Sequence, residues 1–215
     1  MTQDIAGFIG AVTREVTGRE HDGRPARVVR ASRTYDTTME DVWDAITNAE
    51  RIPRWFLPVS GDLRLGGRYQ LQGNAGGQVT GCEPPRHLAV TWEFGGEVSL
   101  LKVELSNSPD GGTHLELEHV AHVDDARWNQ FGPGAVGVGW DMTLMGLDRH
   151  LASGAALDPQ QFMAWVGSPD GKDFIHRSSD EWCRASIVSG TDAEAAKAAA
   201  ERTTAFYTGA PPKDG

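Results

Sequence analysis

The stretch LAVTWEFGGEVSLLKVELSNSPDGGTHLELEH, residues 88–119, decides the fold. Its apolar side chains recur at every second position: Leu88, Val90, Trp92 and Phe94, then Leu101, Val103 and Leu105, then Leu115 and Leu117, with His119 next in phase. A period of two belongs to strands that bury one face. Gly95-Gly96 and Asp110-Gly111-Gly112 separate the runs with residues that accept the positive φ of tight hairpin turns. Consecutive strands joined this way form an antiparallel meander whose inner wall is apolar and aromatic.

Working upstream, Leu63–Leu65, Arg68–Leu71 and Gln78–Glu83 read as further strands, with Gly66-Gly67 expected to turn between the first two and Pro84-Pro85 to end the third. Arg27–Tyr35 alternates as well, placing Val29, Ala31, Arg33 and Tyr35 on one side. Thr37 followed by Glu40 predicts a capping box, and Met39, Val42, Trp43 and Ile46 then follow helical spacing. Asn48 is placed to cap a second short helix that Pro53 disturbs and Pro58 ends. At the start, Ile5, Phe8, Ile9, Val12 and Val16 sit on one helical stripe, which predicts an amphipathic helix over residues 3–17.

Downstream of the meander, Trp140, Leu144, Leu147 and Leu151 predict one long amphipathic helix over 138–152 whose stripe covers the sheet. Gln160–Val166, Asp173–Ser189 and Ala193–Tyr207 read as three more helices, and the tail from Gly209 to Gly215 as disordered. The chain therefore divides into an N-terminal helix and loop (1–24), an α+β domain (25–155) and a helical extension (156–215).

The 215 residues carry 20 basic and 30 acidic side chains, a net charge of −10, which disfavours a nucleic-acid surface. No apolar run approaches the roughly 18–20 residues of a membrane span, and MTQDIAGFIGAVTREV is too polar for a signal peptide, so a cytoplasmic protein without a membrane partner is expected. Cys82 and Cys183 read as free thiols.

Five segments, RTYDTTMEDVWDAITNAERIPRWF (33–56), DLRLGGRY (62–69), EPPRHLAVTW (83–92), THLELEH (113–119) and GWDMTLMGL (139–147), occur in this order. Together they resemble the bacterial proteins named after the activator of the ninety-kilodalton heat-shock-protein ATPase, a branch of the START and polyketide-cyclase (SRPBCC) superfamily. The resemblance covers about residues 27–154. It implies a helix-grip fold: a curved antiparallel sheet wrapped around a long C-terminal helix, with a cavity between them, and here with extra helices at both ends. The family name describes a chaperone cofactor, but nothing in the sequence shows the separate chaperone-binding domain of the eukaryotic activator.

The cavity candidates are Val90, Trp92, Val103, Leu117 and His119 from the sheet, Arg33 in phase with them, Trp55, Phe56 and Tyr69 near the mouth or wall, and Trp140 and Leu144 from the long helix. Such a lining suits a hydrophobic or aromatic ligand held by one or two polar groups. Arg33 could orient an anion and His119 could move a proton. Trp128 and Phe131 precede PGAVGVG (133–139), a glycine-rich segment expected as either an ordinary loop or a lid over the mouth.

His114, His119 and His122 do not make a metal site, because in an unbroken strand the middle one takes the opposite face. GxSxG, P-loop and GxGxxG motifs are absent, and no cofactor is expected. The leading expectation is a protein that binds a hydrophobic or aromatic small molecule and is either not an enzyme or one whose chemistry the sequence leaves undetermined. The competing expectations are a protein-interaction module or chaperone-ATPase cofactor, and a cyclase- or hydrolase-type enzyme of the same superfamily. The extra helices also leave room for a homodimer.

Overall fold

The computed structural model describes residues 4–210. In chain order the elements are α1 (Ile5–Gly10), β1 (Thr13–His21), β2 (Arg24–Tyr35), α2 (Met39–Thr47), a 3-10 turn (Ile52–Arg54), β3 (Val59–Gly61), β4 (Arg68–Leu71), β5 (Gly76–Glu83), β6 (His87–Phe94), β7 (Glu97–Asn107), β8 (Thr113–Ala121), α3 (Asp125–Phe131), α4 (Gly134–Ser153), α5 (Pro159–Gly167), α6 (Pro169–Val188) and α7 (Ala193–Thr208). The strands form an eight-stranded antiparallel sheet in the order β1-β2-β8-β7-β6-β5-β4-β3. The chain resolves into two compact units that interleave in sequence: residues 1–31, 122–142 and 158–215 in the first, 32–121 and 143–157 in the second.

The second unit holds the meander. Its register is continuous from β6 to β8, with Val90 opposite Leu101 and Leu101 opposite His119, and with Leu88 opposite Val103 and Val103 opposite Leu117. The part of α4 in this unit lies close against the residues after α2: a Cβ on Gly146 would come within 2.4 Å of the Trp55 carbonyl oxygen, so only glycine permits this approach. Tyr35, Val42, Leu115, Leu144, Met145 and Leu147 are among its fully buried side chains. Two local expectations shift. Thr38, not Thr37, caps α2 by accepting from the Asp41 N–H, and the Thr37 hydroxyl donates to the Asp41 carboxylate instead. The first short strand is Val59–Gly61 rather than Leu63–Leu65; residues 62–67 form the turn, and Leu65 points into solvent.

The first unit corrects the N-terminal helix. The expected helix over 3–17 stops at Gly10, and Thr13–His21 is strand; Gln3 lies outside the described residues. Asp22 and Gly23, with φ of 50° and 71°, then make a two-residue turn straight into β2. Val12 and Val16 keep their buried positions, since a spacing of four satisfies both a helix stripe and alternate strand positions. In the same unit Phe8 packs on Phe174 and Trp165 on Phe174, with ring centroids 5.8 and 5.6 Å apart. The helices expected at 160–166, 173–189 and 193–207 are all present as α5 to α7, while the tail expected to be disordered lies outside the described residues from 211 onward.

Candidate functional site

The sheet rows of the second unit build the candidate site. Val90, Val103 and Leu117 are buried, and His119 closes the row that begins with Val90 and Leu101. Trp92 lies opposite Ser99, which places Ser99 two residues before Leu101 on the same face. The Ser99 hydroxyl donates to the Trp92 carbonyl at 3.1 Å and meets His119 Nε2 at 2.7 Å. A hydroxyl has one proton, so if it goes to the carbonyl, His119 Nε2 carries its own hydrogen and donates to Ser99. The Trp92 and His119 rings are 6.5 Å apart and tilted.

Burial dominates the electrostatics of this corner. His119 is 6% exposed, and desolvation of its charged form pushes its pKa down from 6.5 to about 4. The ring is therefore neutral at pH 7, able to exchange hydrogen bonds but a weak general base. Burial also raises the Tyr69 hydroxyl well above its ordinary value, and that hydroxyl donates to the Thr91 carbonyl at 2.8 Å.

Arg33 is held within the protein. Its guanidinium pairs with Asp148 on α4 at 2.9 Å and lies 5.0 Å over the Tyr35 ring, while the Tyr35 hydroxyl donates to the Leu144 carbonyl. The expected role of Arg33 as an anion anchor is thus met by an internal carboxylate. Trp55, 7% exposed, donates its indole N–H to the Ala45 carbonyl at 2.9 Å and stacks on Phe56. Arg33, Trp55, Phe56, Tyr69, Val90, Trp92, Val103, Leu117, His119 and Leu144 all belong to the second unit.

Trp128, Phe131 and Trp140 belong to the first unit. There the loop expectation is corrected: residues 125–131 are α3, and PGAVGVG runs from Pro133 into the first turns of α4. Position 137 requires glycine because a Cβ there would strike the Trp182 indole at 2.3 Å. Its value to the chain is close packing, not mobility. Sequence reading passed over Ser99 and Asp148: Ser99 was in phase with Leu101 but small and polar, and Asp148 belongs to the outer side of a helical wheel.

An antiparallel sheet closed by a long helix, with extra helices, defines a protein of the helix-grip class. The chain belongs to the Activator of Hsp90 ATPase homolog 1-like protein family, whose model matches residues 36–152, within the START/SRPBCC superfamily. It is similar to CalU16 from Micromonospora echinospora: the crystal structure is 31% identical, with a TM-score of 0.63, over 84% of this chain and 99% of that one. The solution structure of CalU16 is 34% identical with a TM-score of 0.67, over 84% and 97%. MLL2253 from Mesorhizobium loti shares the fold at 23% identity and a TM-score of 0.53, over 61% of this chain and 100% of that one. A search of curated proteins found no match. No helix among the described residues is long and apolar enough to cross a membrane.

Proposed function

We propose that this protein binds a hydrophobic or aromatic small molecule on the sheet face formed by β6, β7 and β8, and that it works by binding rather than by catalysis. The observation that supports this reading is the polar pair His119–Ser99 set at 2.7 Å within an apolar and aromatic wall that includes Trp92. One or two hydrogen-bonding groups in an apolar lining orient a ligand without demanding charge. A histidine whose pKa is lowered to about 4 suits a neutral hydrogen-bonding role better than proton abstraction at pH 7. Membership of the helix-grip superfamily is compatible with such a cavity.

Native mass spectrometry of the purified protein, followed by a panel of aromatic probes read by melting temperature and tryptophan fluorescence, tests the proposal. A copurified mass, or a probe whose stabilisation is lost in Trp92→Ala, supports it. No retained mass and no response to any probe would sink it. A second reading, an interaction surface for another protein, is favoured by one feature: Phe94 and Val98 flank the Gly95-Gly96 turn and are 58% and 61% exposed. Action as a chaperone cofactor or pairing with a second copy would use such a patch.

A further inference from the structure

β1 lies at the outer edge of the sheet, with β2 on one side and, among the described residues, no strand on the other. Asp22-Gly23 joins the two as a two-residue turn, so His21 and Arg24 form the hydrogen-bonded pair beside it. Counting back from that pair, Arg19, Thr17, Glu15 and Thr13 turn their backbone N–H and C=O toward β2, and Glu20, Gly18, Val16 and Arg14 turn theirs away. The ion pair between Glu15 and Arg30, which stand opposite each other in this register, agrees with the count. Among the described residues, no backbone hydrogen bond from another segment reaches Glu20, Gly18, Val16 or Arg14. A groove of about 730 Å³ separates this strand from the last turns of α6, with Val16, Thr17 and Gly18 on one wall and Ala185 and Val188 on the other. The edge is therefore accessible: Thr17, Gly18, Arg19 and Glu20 are exposed, and so is Val188, at 88%.

A free row of backbone donors and acceptors is a template for another strand. The order of charges along β1 selects which strand. Arg14-Glu15-Val16-Thr17-Gly18-Arg19-Glu20 is its own complement when it runs antiparallel to itself about Thr17, since Glu15 then falls opposite Arg19 and Arg14 opposite Glu20. Centring the pairing on Val16 or on Gly18 brings neither glutamate opposite an arginine, and parallel pairing in register sets like charges side by side. The register about Thr17 also matches the outward-facing backbone of Val16 with that of Gly18, so the charge order and the hydrogen-bond phase agree. Arg14 is committed to Asp141 at 3.0 Å and is only 4% exposed, which leaves Glu15 and Arg19 to carry the recognition. The Glu15 side chain is 51% exposed, so it keeps an open side beside Arg30. We propose that the edge of β1 docks a second copy of this chain, the two β1 strands pairing antiparallel about a two-fold axis at Thr17, with Glu15 of each copy against Arg19 of the other.

The test is analytical ultracentrifugation of the full-length protein at concentrations up to about 1 mM, where the parent is expected to dimerise. Glu15→Arg and Arg19→Glu are each expected to weaken the dimer about tenfold, because each reversal acts twice across the axis. An equimolar mixture of the two variants is expected to recover the parent's association, since every facing pair is then again opposite in charge. Gly18→Pro removes an N–H that points away from β2, a position where an edge strand tolerates proline, and is expected to give a folded monomer. Should that variant not fold, the charge mixture decides. Thr17→Cys reports the register: facing residues at a non-hydrogen-bonded position have Cα atoms about 4.5 Å apart, within disulfide reach, so mild oxidation is expected to link two copies through position 17, as peptide mass spectrometry would show. The proposal is overturned if the parent stays monomeric over the whole range, if neither reversal weakens the dimer, if the mixture does not recover it, or if oxidised Thr17→Cys gives no linkage through position 17. A dimer indifferent to both reversals would place the contact on another face, such as that of Phe94 and Val98. The outcome bears on β1 alone and is independent of the sheet-face site, which is tested through Trp92.

Discussion

Buried His119 gives the protein a specific acid sensitivity. In the folded state its pKa is about 4, against 6.5 for an unburied histidine, so between these values the unfolded chain binds more protons than the folded one. Stability from this group is fully present above pH 6.5 and is lost as the pH falls toward 4. A displacement of this size corresponds to about 2 kcal/mol lost by pH 5 and about 3 kcal/mol by pH 4, at about 1.4 kcal/mol per pH unit. The measurement is urea denaturation from pH 7.5 to pH 4 of the parent and of His119→Gln. Glutamine carries its amide nitrogen about as far from Cβ as histidine carries Nε2, so it can still reach Ser99, and it does not titrate. Carboxylates elsewhere titrate in both proteins and cancel in the difference. The parent is expected to lose about 2 kcal/mol more than the variant between pH 7 and pH 5. Parallel stability curves, or a His119 imidazole titrating near 6.5 by NMR, would show that the ring is not desolvated in solution and refute the reasoning.

Three further outcomes follow from the packing. Gly146→Ala places a methyl 2.4 Å from the Trp55 carbonyl oxygen and is expected to destabilise by about 1–3 kcal/mol despite alanine's better helix propensity, as a thermal melt would reveal. Asp141→Asn removes the carboxylate that Arg14, Ser178 and Trp182 all contact and leaves a guanidinium only 4% exposed. The expected cost is about 3 kcal/mol in denaturant titrations, the low end for a broken buried pair, because Arg14 also donates to the carbonyls of Ile9 and Val12. Trp92→Ala is expected to weaken any aromatic probe bound at the sheet face about tenfold, measured by calorimetry, since an aromatic contact contributes on the order of 1 kcal/mol beyond the area it buries. An unchanged dissociation constant would place that probe elsewhere.

By itself the sequence determined the meander, most of the helices and the apolar identity of the sheet face. Strands β4 to β8 were legible because alternation over Leu88–Phe94 or Leu101–Leu105 is local information, repeated until only one face can be buried. Helices α5 to α7 were legible because their caps and breakers, such as Asp158, Ser168 and Asp192, act within a turn of the residues they affect. Tertiary structure decided what local spacing leaves open. Val12 and Val16 fit a helix or a strand equally well, and the choice of β1 depends on the Asp22-Gly23 turn that leads into β2. The glycines of residues 133–139 are compatible with a loop, yet they lie in α4, where Gly137 leaves room for the Trp182 indole. The meetings of Ser99 with His119 and of Arg33 with Asp148 each join residues 20 or more positions apart. Hydrogen bonds and voids are set by where distant backbones stop relative to one another, a property that no periodicity along the chain encodes.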